Sequence, residues 1–126
     1  MFRLFLLLPF LLACQSTNIV DEFTQKELRT EIICTADECD LFWSRAMFFV
    51  SSKAGFKMQI ANDYLIETYN PTDYSPKLAY RIQKQPLGNN KHKIITNAWC
   101  ANLFGCQPNR MQGIANAKRY IRTGDF

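Results

Sequence analysis

The chain has 126 residues, among them 10 Phe, 5 Tyr, 2 Trp, 5 Cys and one His, and a formal net charge of +4. That length holds one domain and excludes a separate catalytic and substrate domain. No internal repeat is visible, which argues against a repeat array.

Residues 1–13, MFRLFLLLPFLLA, are apolar apart from Arg3. A spanning helix needs roughly 20 apolar residues, and this run ends sooner, at polar Gln15, Ser16 and Asn18. A positive start followed by a short apolar stretch reads as an export signal. Its end, Leu11-Leu12-Ala13-Cys14, resembles the lipobox of small bacterial lipoproteins. The resemblance covers residues 1–14 only. It implies cleavage between Ala13 and Cys14, diacylglycerol on the Cys14 thiol and a further acyl group, such as palmitate, on the new amino terminus. Two or three chains meet the requirement for stable anchoring, which one chain does not. Gln15 in place of Asp after the modified cysteine implies the periplasmic face of the outer membrane, in an organism with two membranes. The implied partner is the membrane itself, through Cys14, and nucleic acid is not expected in that compartment.

With the signal removed, the charge divides unevenly. Residues 14–40 carry two basic and seven acidic side chains, whereas residues 41–126 carry twelve basic and four acidic ones. An acidic leader thus precedes a basic body, which is either an ordinary solvated surface or a face for anionic head groups or an acidic partner. Assigning Cys14 to lipid leaves an even set, Cys34, Cys39, Cys100 and Cys106. Exported chains meet oxidising conditions, so two disulfides are expected, with three pairings open. A four-cysteine metal site is disfavoured because the spacings C-x4-C and C-x5-C do not both fit the usual zinc pattern. No metal and no cofactor are expected.

Residues 14–33 read as an acidic polar tether, with a short, weakly amphipathic helix conceivable from Thr24 to Ile33. The domain proper is expected over residues 34–126. Thr35-Ala36-Asp37-Glu38 has the form of a capping box, with Thr35 at the N-cap and Glu38 at N3. The helix it opens is apolar around much of its girth, which predicts cover on more than one side, and Gly55 is its expected stop. In this register Cys34 and Cys39 occupy the N′ and N4 positions that a hydrophobic staple brings together. The local pairs Cys34–Cys39 and Cys100–Cys106 are therefore preferred.

Beyond Gly55 the period becomes two. Phe56, Met58 and Ile60 predict a first strand, and Tyr64–Tyr69 a second across an Asn62-Asp63 turn. A loop over residues 70–76 follows, then a third strand with Leu78, Tyr80 and Ile82. Residues 86–90 read as a turn, and Lys93–Cys100 as a fourth strand. After a turn-like segment over residues 101–108, a last helix is expected from about Asn109 to Thr123, with Met111, Ile114, Ala115, Ala117 and Ile121 inward and Gly124 as its stop. The fold class is α+β, in two layers: an antiparallel sheet of about four strands with a helix before and a helix after it.

Catalytic signatures are sparse. His92 lies between Lys91 and Lys93 and reads as an exposed loop histidine. No nucleophile elbow, zinc-protease or P-loop motif appears, and Glu67 with Asp73 reads as two ordinary carboxylates. No catalytic residue is assigned and an enzyme is not expected. The candidate binding surface comprises Tyr69 and Tyr74 beside the Pro-containing loop, and Lys118, Arg119 and Arg122 on the last helix, where basic groups also suit the helix dipole. The expected function is that of a membrane-anchored envelope lipoprotein of binding or structural type, its partner an envelope protein or peptidoglycan. The alternative is a cell-wall hydrolase inhibitor or immunity-type protein, acting through the loop at 70–76 or at 101–108, with a hydrolase ranked behind.

Overall fold

The structure, a computed structural model, describes residues 20–126. The signal expected over residues 1–13 and the lipidation site expected at Cys14 lie outside the described residues. In chain order the elements are α1 (Glu22–Arg29), β1 (Ile32–Thr35), α2 (Ala36–Lys53), β2 (Met58–Ala61), β3 (Leu65–Thr68), β4 (Ala79–Gly88), β5 (Lys91–Trp99) and α3 (Arg110–Thr123). The strands form one antiparallel sheet in the order β1-β5-β4-β3-β2. The chain starts at one edge, crosses through α2 to the other, and meanders back until β5 pairs with β1. This is the α+β fold read from the sequence, with five strands in place of four.

α1 comes from the segment assigned to a tether, where the helix conceived over Thr24–Ile33 forms instead over Glu22–Arg29, and the additional strand, β1, straddles the expected boundary at residue 33. α1 opens at Asp21, whose carboxylate accepts the Thr24 N–H at 2.7 Å and is held below its usual pKa by that bond. Its inward face is polar, with Thr24 and Glu27 both buried. Glu27 is paired with Arg122 of α3, which is why apolar periodicity does not announce the helix. β1 is only four residues long, with Ile32 and Cys34 buried and Ile33 exposed. Glu31, just before it, bonds Lys93 at 2.7 Å, and that bond lowers its carboxyl pKa. From Asp21 onward the expected tether is therefore part of the packed domain.

α2 begins after Thr35 as the capping box predicts, but the Thr35 side chain makes no capping bond. The chain enters the helix through Ala36, at φ 35°, with its N–H on Asn90 O at 3.3 Å. The buried stripe is Cys39, Phe42, Trp43, Ala46, Phe49 and Val50, spaced for one helix face. Leu41 and Phe48 are about half exposed, at 50% and 53%, so the helix is covered on one side rather than several. Gly55 is not the helix stop, since Ala54 takes the cap in extended geometry. Its missing side chain serves a close approach: a Cβ there would fall 2.4 Å from Lys77 Cβ, and its N–H reaches Leu78 O at 2.9 Å.

The β4–β5 hairpin is longer than its sequence suggests. The turn expected over residues 86–90 shrinks to Asn89-Asn90, at φ 52° and 58°, the pattern of a tight hairpin turn. Pro86 is tolerated in the strand because β3 ends its pairing opposite Gln83, leaving no neighbour there to need the missing N–H. His92 accordingly lies within β5, opposite Cys34 and Pro86, half-buried with Nδ1 3.8 Å from Cys39 Sγ. It is not the exposed loop histidine expected.

α3 matches its expected limits. Asn109 caps it by accepting the Met111 N–H at 2.8 Å, and Gly124 ends it at φ 79°. Ile114, Ala115, Ala117 and Ile121 are buried as expected, whereas Met111 is exposed, one residue into the first turn. α2 and α3 lie against the same face of the sheet and α1 lies on α3. Their apolar faces close over Ile66, Tyr80, Ile82, Ile94 and Ala98. Tyr80 is buried deeply enough that its hydroxyl pKa is pushed up to about 12, and it donates to Gly113 O at 3.3 Å. Both disulfides join the preferred partners, Cys34–Cys39 and Cys100–Cys106. No helix among the described residues is long and apolar enough to cross a membrane.

Candidate functional site: a disulfide-closed tip loop

The two loops named from the sequence, 70–76 and 101–108, form one structure at the end of the sheet where β5 hands over to α3. The first turns tightly: Ser75 N–H donates to Thr72 O at 3.0 Å, and the two central residues, Asp73 and Tyr74, both have positive φ, 54° and 53°. Asp tolerates this region, whereas a bulky side chain is disfavoured there by about 1–2 kcal/mol. The second loop locks the first in place. Asn102 Nδ2 donates to Tyr74 O at 2.9 Å, Ala101 N–H to Ser75 O at 3.1 Å, and Gln107 N–H to Pro76 O at 2.8 Å.

Within the second loop, Asn102 Oδ1 accepts the Phe104 N–H at 2.9 Å and Asn102 O the Gly105 N–H at 3.3 Å. Gly105 has φ 117°, a conformation that suits glycine alone, and the Cys100–Cys106 bond closes the base. A ring this small has no interior for an apolar side chain. Leu103 and Phe104 therefore point outward and are 90% and 99% exposed, with Tyr74 beside them in the adjoining loop at 76%. Tyr69, 54% exposed, leads into that adjoining loop from β3.

A fully exposed Leu-Phe pair on a backbone pinned by a disulfide and five hydrogen bonds is an apolar feature that the domain itself does not use. Rigid aromatic anchors lose little conformational freedom on binding, so most of their burial is retained as affinity. Leu103 and Phe104 were not singled out from the sequence. The signal was there: two large apolar residues between an Asn and a Gly, inside a short Cys-bracketed turn, cannot reach a core.

The other sequence candidates divide. Tyr69 and Tyr74 belong to this end of the molecule. Lys118, Arg119 and Arg122 are committed instead to α1: Lys118 Nζ donates to Leu28 O at 3.0 Å, Arg119 lies 5.2 Å over the Phe23 ring, and Arg122 pairs with Glu27. Burial lowers the Lys118 pKa, opposed by Glu27 and Glu31. The structure thus brings the tyrosines together with the tip and uses the three basic groups to dock a helix. Glu67 pairs with Arg81 at 3.2 Å on the open face of the sheet and forms no acid pair with Asp73. Among the described residues no group of three His, Cys, Asp or Glu side chains could hold a metal ion.

The strain at Tyr74 provides a test that separates shape from function. Tyr74→Gly is expected to raise stability by about 1 kcal/mol in urea unfolding, because it relieves the positive φ. If the aromatic ring serves binding, the same variant loses affinity for its partner. A drop in stability would show that the ring packs.

No protein-family model matches the chain, and comparison with curated proteins and with solved structures gives no match either.

Proposed function

We propose that the chain is an envelope lipoprotein of binding type. Lipid on Cys14 holds it at the periplasmic face of the outer membrane, and its oxidised domain engages a protein partner through the tip formed by Tyr74, Leu103 and Phe104. The observation that carries this reading is the near-complete exposure of Leu103 and Phe104 on a loop closed by Cys100–Cys106. Disulfides are at home in exported proteins, which supports the compartment.

The arrangement of anchor and tip favours the same reading. α1 rests on residues 118–122 of α3, while the tip leads into Arg110 at the other end. Along α3 those positions are separated by about 12–18 Å, at 1.5 Å per residue. A domain tethered through the segment before α1 thus carries its apolar anchors away from the attachment point. The protruding, closed shape of the loop suits insertion into a concave partner site, which keeps an inhibitor or immunity-type role as the second reading.

Anchoring is tested by metabolic labelling with an alkyne palmitate analogue. The wild-type chain is expected to take up label and Cys14→Ser to take up none. Labelling of the variant would remove the lipoprotein assignment while leaving the tip untouched.

A further inference from the structure

A cleft of about 240 Å³ lies between α2 and α3, above Tyr80 of β4. The way α3 ends builds it. Arg45 of α2 donates to the Ile121 and Arg122 carbonyls, both at 3.2 Å, and so ties the last turn of α3 to α2. Gly124, at φ 79°, then turns the chain back. Phe126 returns to stack on Tyr120, with ring centroids 4.3 Å apart, and stands 6.4 Å from the Phe49 ring.

Phe49 and Tyr80, set edge to face at 5.5 Å, form the floor of the cleft. Both are almost wholly buried, whereas Lys53, Pro108 and Phe126 at the rim are exposed, so the floor is dry and the mouth is wet. The Tyr80 proton is already given to Gly113 O at 3.3 Å. That leaves Lys53 and Asn116 as the polar side chains of the lining. Among the described residues Lys53 has no acidic partner, and its Nζ lies 4.5 Å over the Phe126 ring.

Three aromatic rings around a small space would suit a cation, but Lys53 already holds the cation's place over Phe126. Charge complementarity therefore selects an anion. A dry cavity of about 150 Å³ admits benzene. In proportion, 240 Å³ holds about ten non-hydrogen atoms, which is one ring and a short acidic arm. We infer that the cleft binds a small aromatic monocarboxylate of the arylacetic type, its ring against Phe49, Tyr80 and Phe126 and its carboxylate on Lys53 Nζ and the Asn116 amide. Apolar walls supply the affinity and the two polar groups fix the orientation. The carboxylate stays at the wet rim, which avoids the cost of burying a charge. This site depends on neither the lipid anchor nor the tip.

The test titrates the full-length oxidised protein with phenylacetate and with phenylacetamide, its neutral isostere. Saturable binding of phenylacetate is expected, about tenfold tighter than that of phenylacetamide because the ion pair is open to solvent on one side. The amide signals of Lys53, Asn116 and Phe126 should shift. Lys53→Gln, at an exposed position, should remove the preference and leave phenylacetamide binding unchanged, which shows the cleft intact. Replacing Leu103 and Phe104 should leave phenylacetate binding unchanged, which keeps this proposal separate from the tip. Tighter binding of phenethylammonium, equal binding of phenylacetamide, displacement by acetate at matched concentration, absence of saturation, or a preference that survives Lys53→Gln would each overturn it.

Discussion

Replacing Leu103 and Phe104 together with Ser is expected to abolish partner capture and leave the unfolding midpoint unchanged. Both side chains are almost wholly solvent-exposed, at 90% and 99%, so the fold loses no packing when they go. In a complex they would move from water into a partner's pocket, where central aromatic and aliphatic anchors typically account for about 2–4 kcal/mol each. At about 1.4 kcal/mol per tenfold, the pair corresponds to a loss of three or more decades in affinity. Pull-down from crosslinked envelopes, with thermal melts of the same preparations, reads both parts. A lowered midpoint would mean that the loop packs against the domain, and unchanged capture would mean that the partner binds elsewhere.

Arg122→Leu is expected to produce the largest loss of stability of any basic-residue change. The Glu27 side chain is only 5% exposed and its carboxylate pairs with Arg122, while Glu27 Oε2 has no other partner. Breaking a buried pair from one side typically costs about 3–5 kcal/mol. Because the Arg122 side chain is 37% exposed, a discounted value of about 2–3 kcal/mol is expected. The damage should concentrate in α1, where amide hydrogen exchange would rise from residue 22 to residue 29 before the sheet opens. Glu27→Leu with Arg122→Leu should recover much of the loss, since an apolar pair of similar volume can replace a buried ion pair. Uniform destabilisation without faster exchange in α1 would contradict the role assigned to Arg122.

These two residue sets explain where sequence reading succeeds and where it fails. Asn109 and Gly124 mark the ends of α3 because capping and left-handed termination are local chemistry, written in single residues. The Cys34–Cys39 pairing follows from the start of α2 for the same reason. α1 is read only in part, as a conceivable helix from Thr24 to Ile33, because its buried face depends on Glu27 meeting Arg122, a partner 95 positions away that no periodicity encodes. β1 escapes because four residues are too few to show alternation, and it exists only because β5 lies beside it. The tip is a middle case. Each of its loops can be placed from Pro, Gly and Cys spacing, but the bond from Asn102 to Tyr74 O that joins them is between a side chain and a distant carbonyl. Exposure of Leu103 and Phe104 then follows from the closed ring, a tertiary consequence of local covalent structure.

Fixing the strained Tyr74 backbone with bonds from the neighbouring loop also gives the tip a defined shape before any partner arrives. Preorganisation of this kind reduces the ordering cost of association and shows chiefly in slower dissociation.

The most direct measurement is site-specific photo-crosslinking in intact envelopes, with a benzophenone amino acid in place of Phe104 and, as control, in place of Gln59 on edge strand β2. Docking through the tip predicts a discrete protein adduct from position 104, none from position 59, and loss of the position-104 adduct when Leu103 and Tyr74 are replaced by Ser. Equal crosslinking from both positions, or lipid and wall fragments alone from position 104, would contradict it.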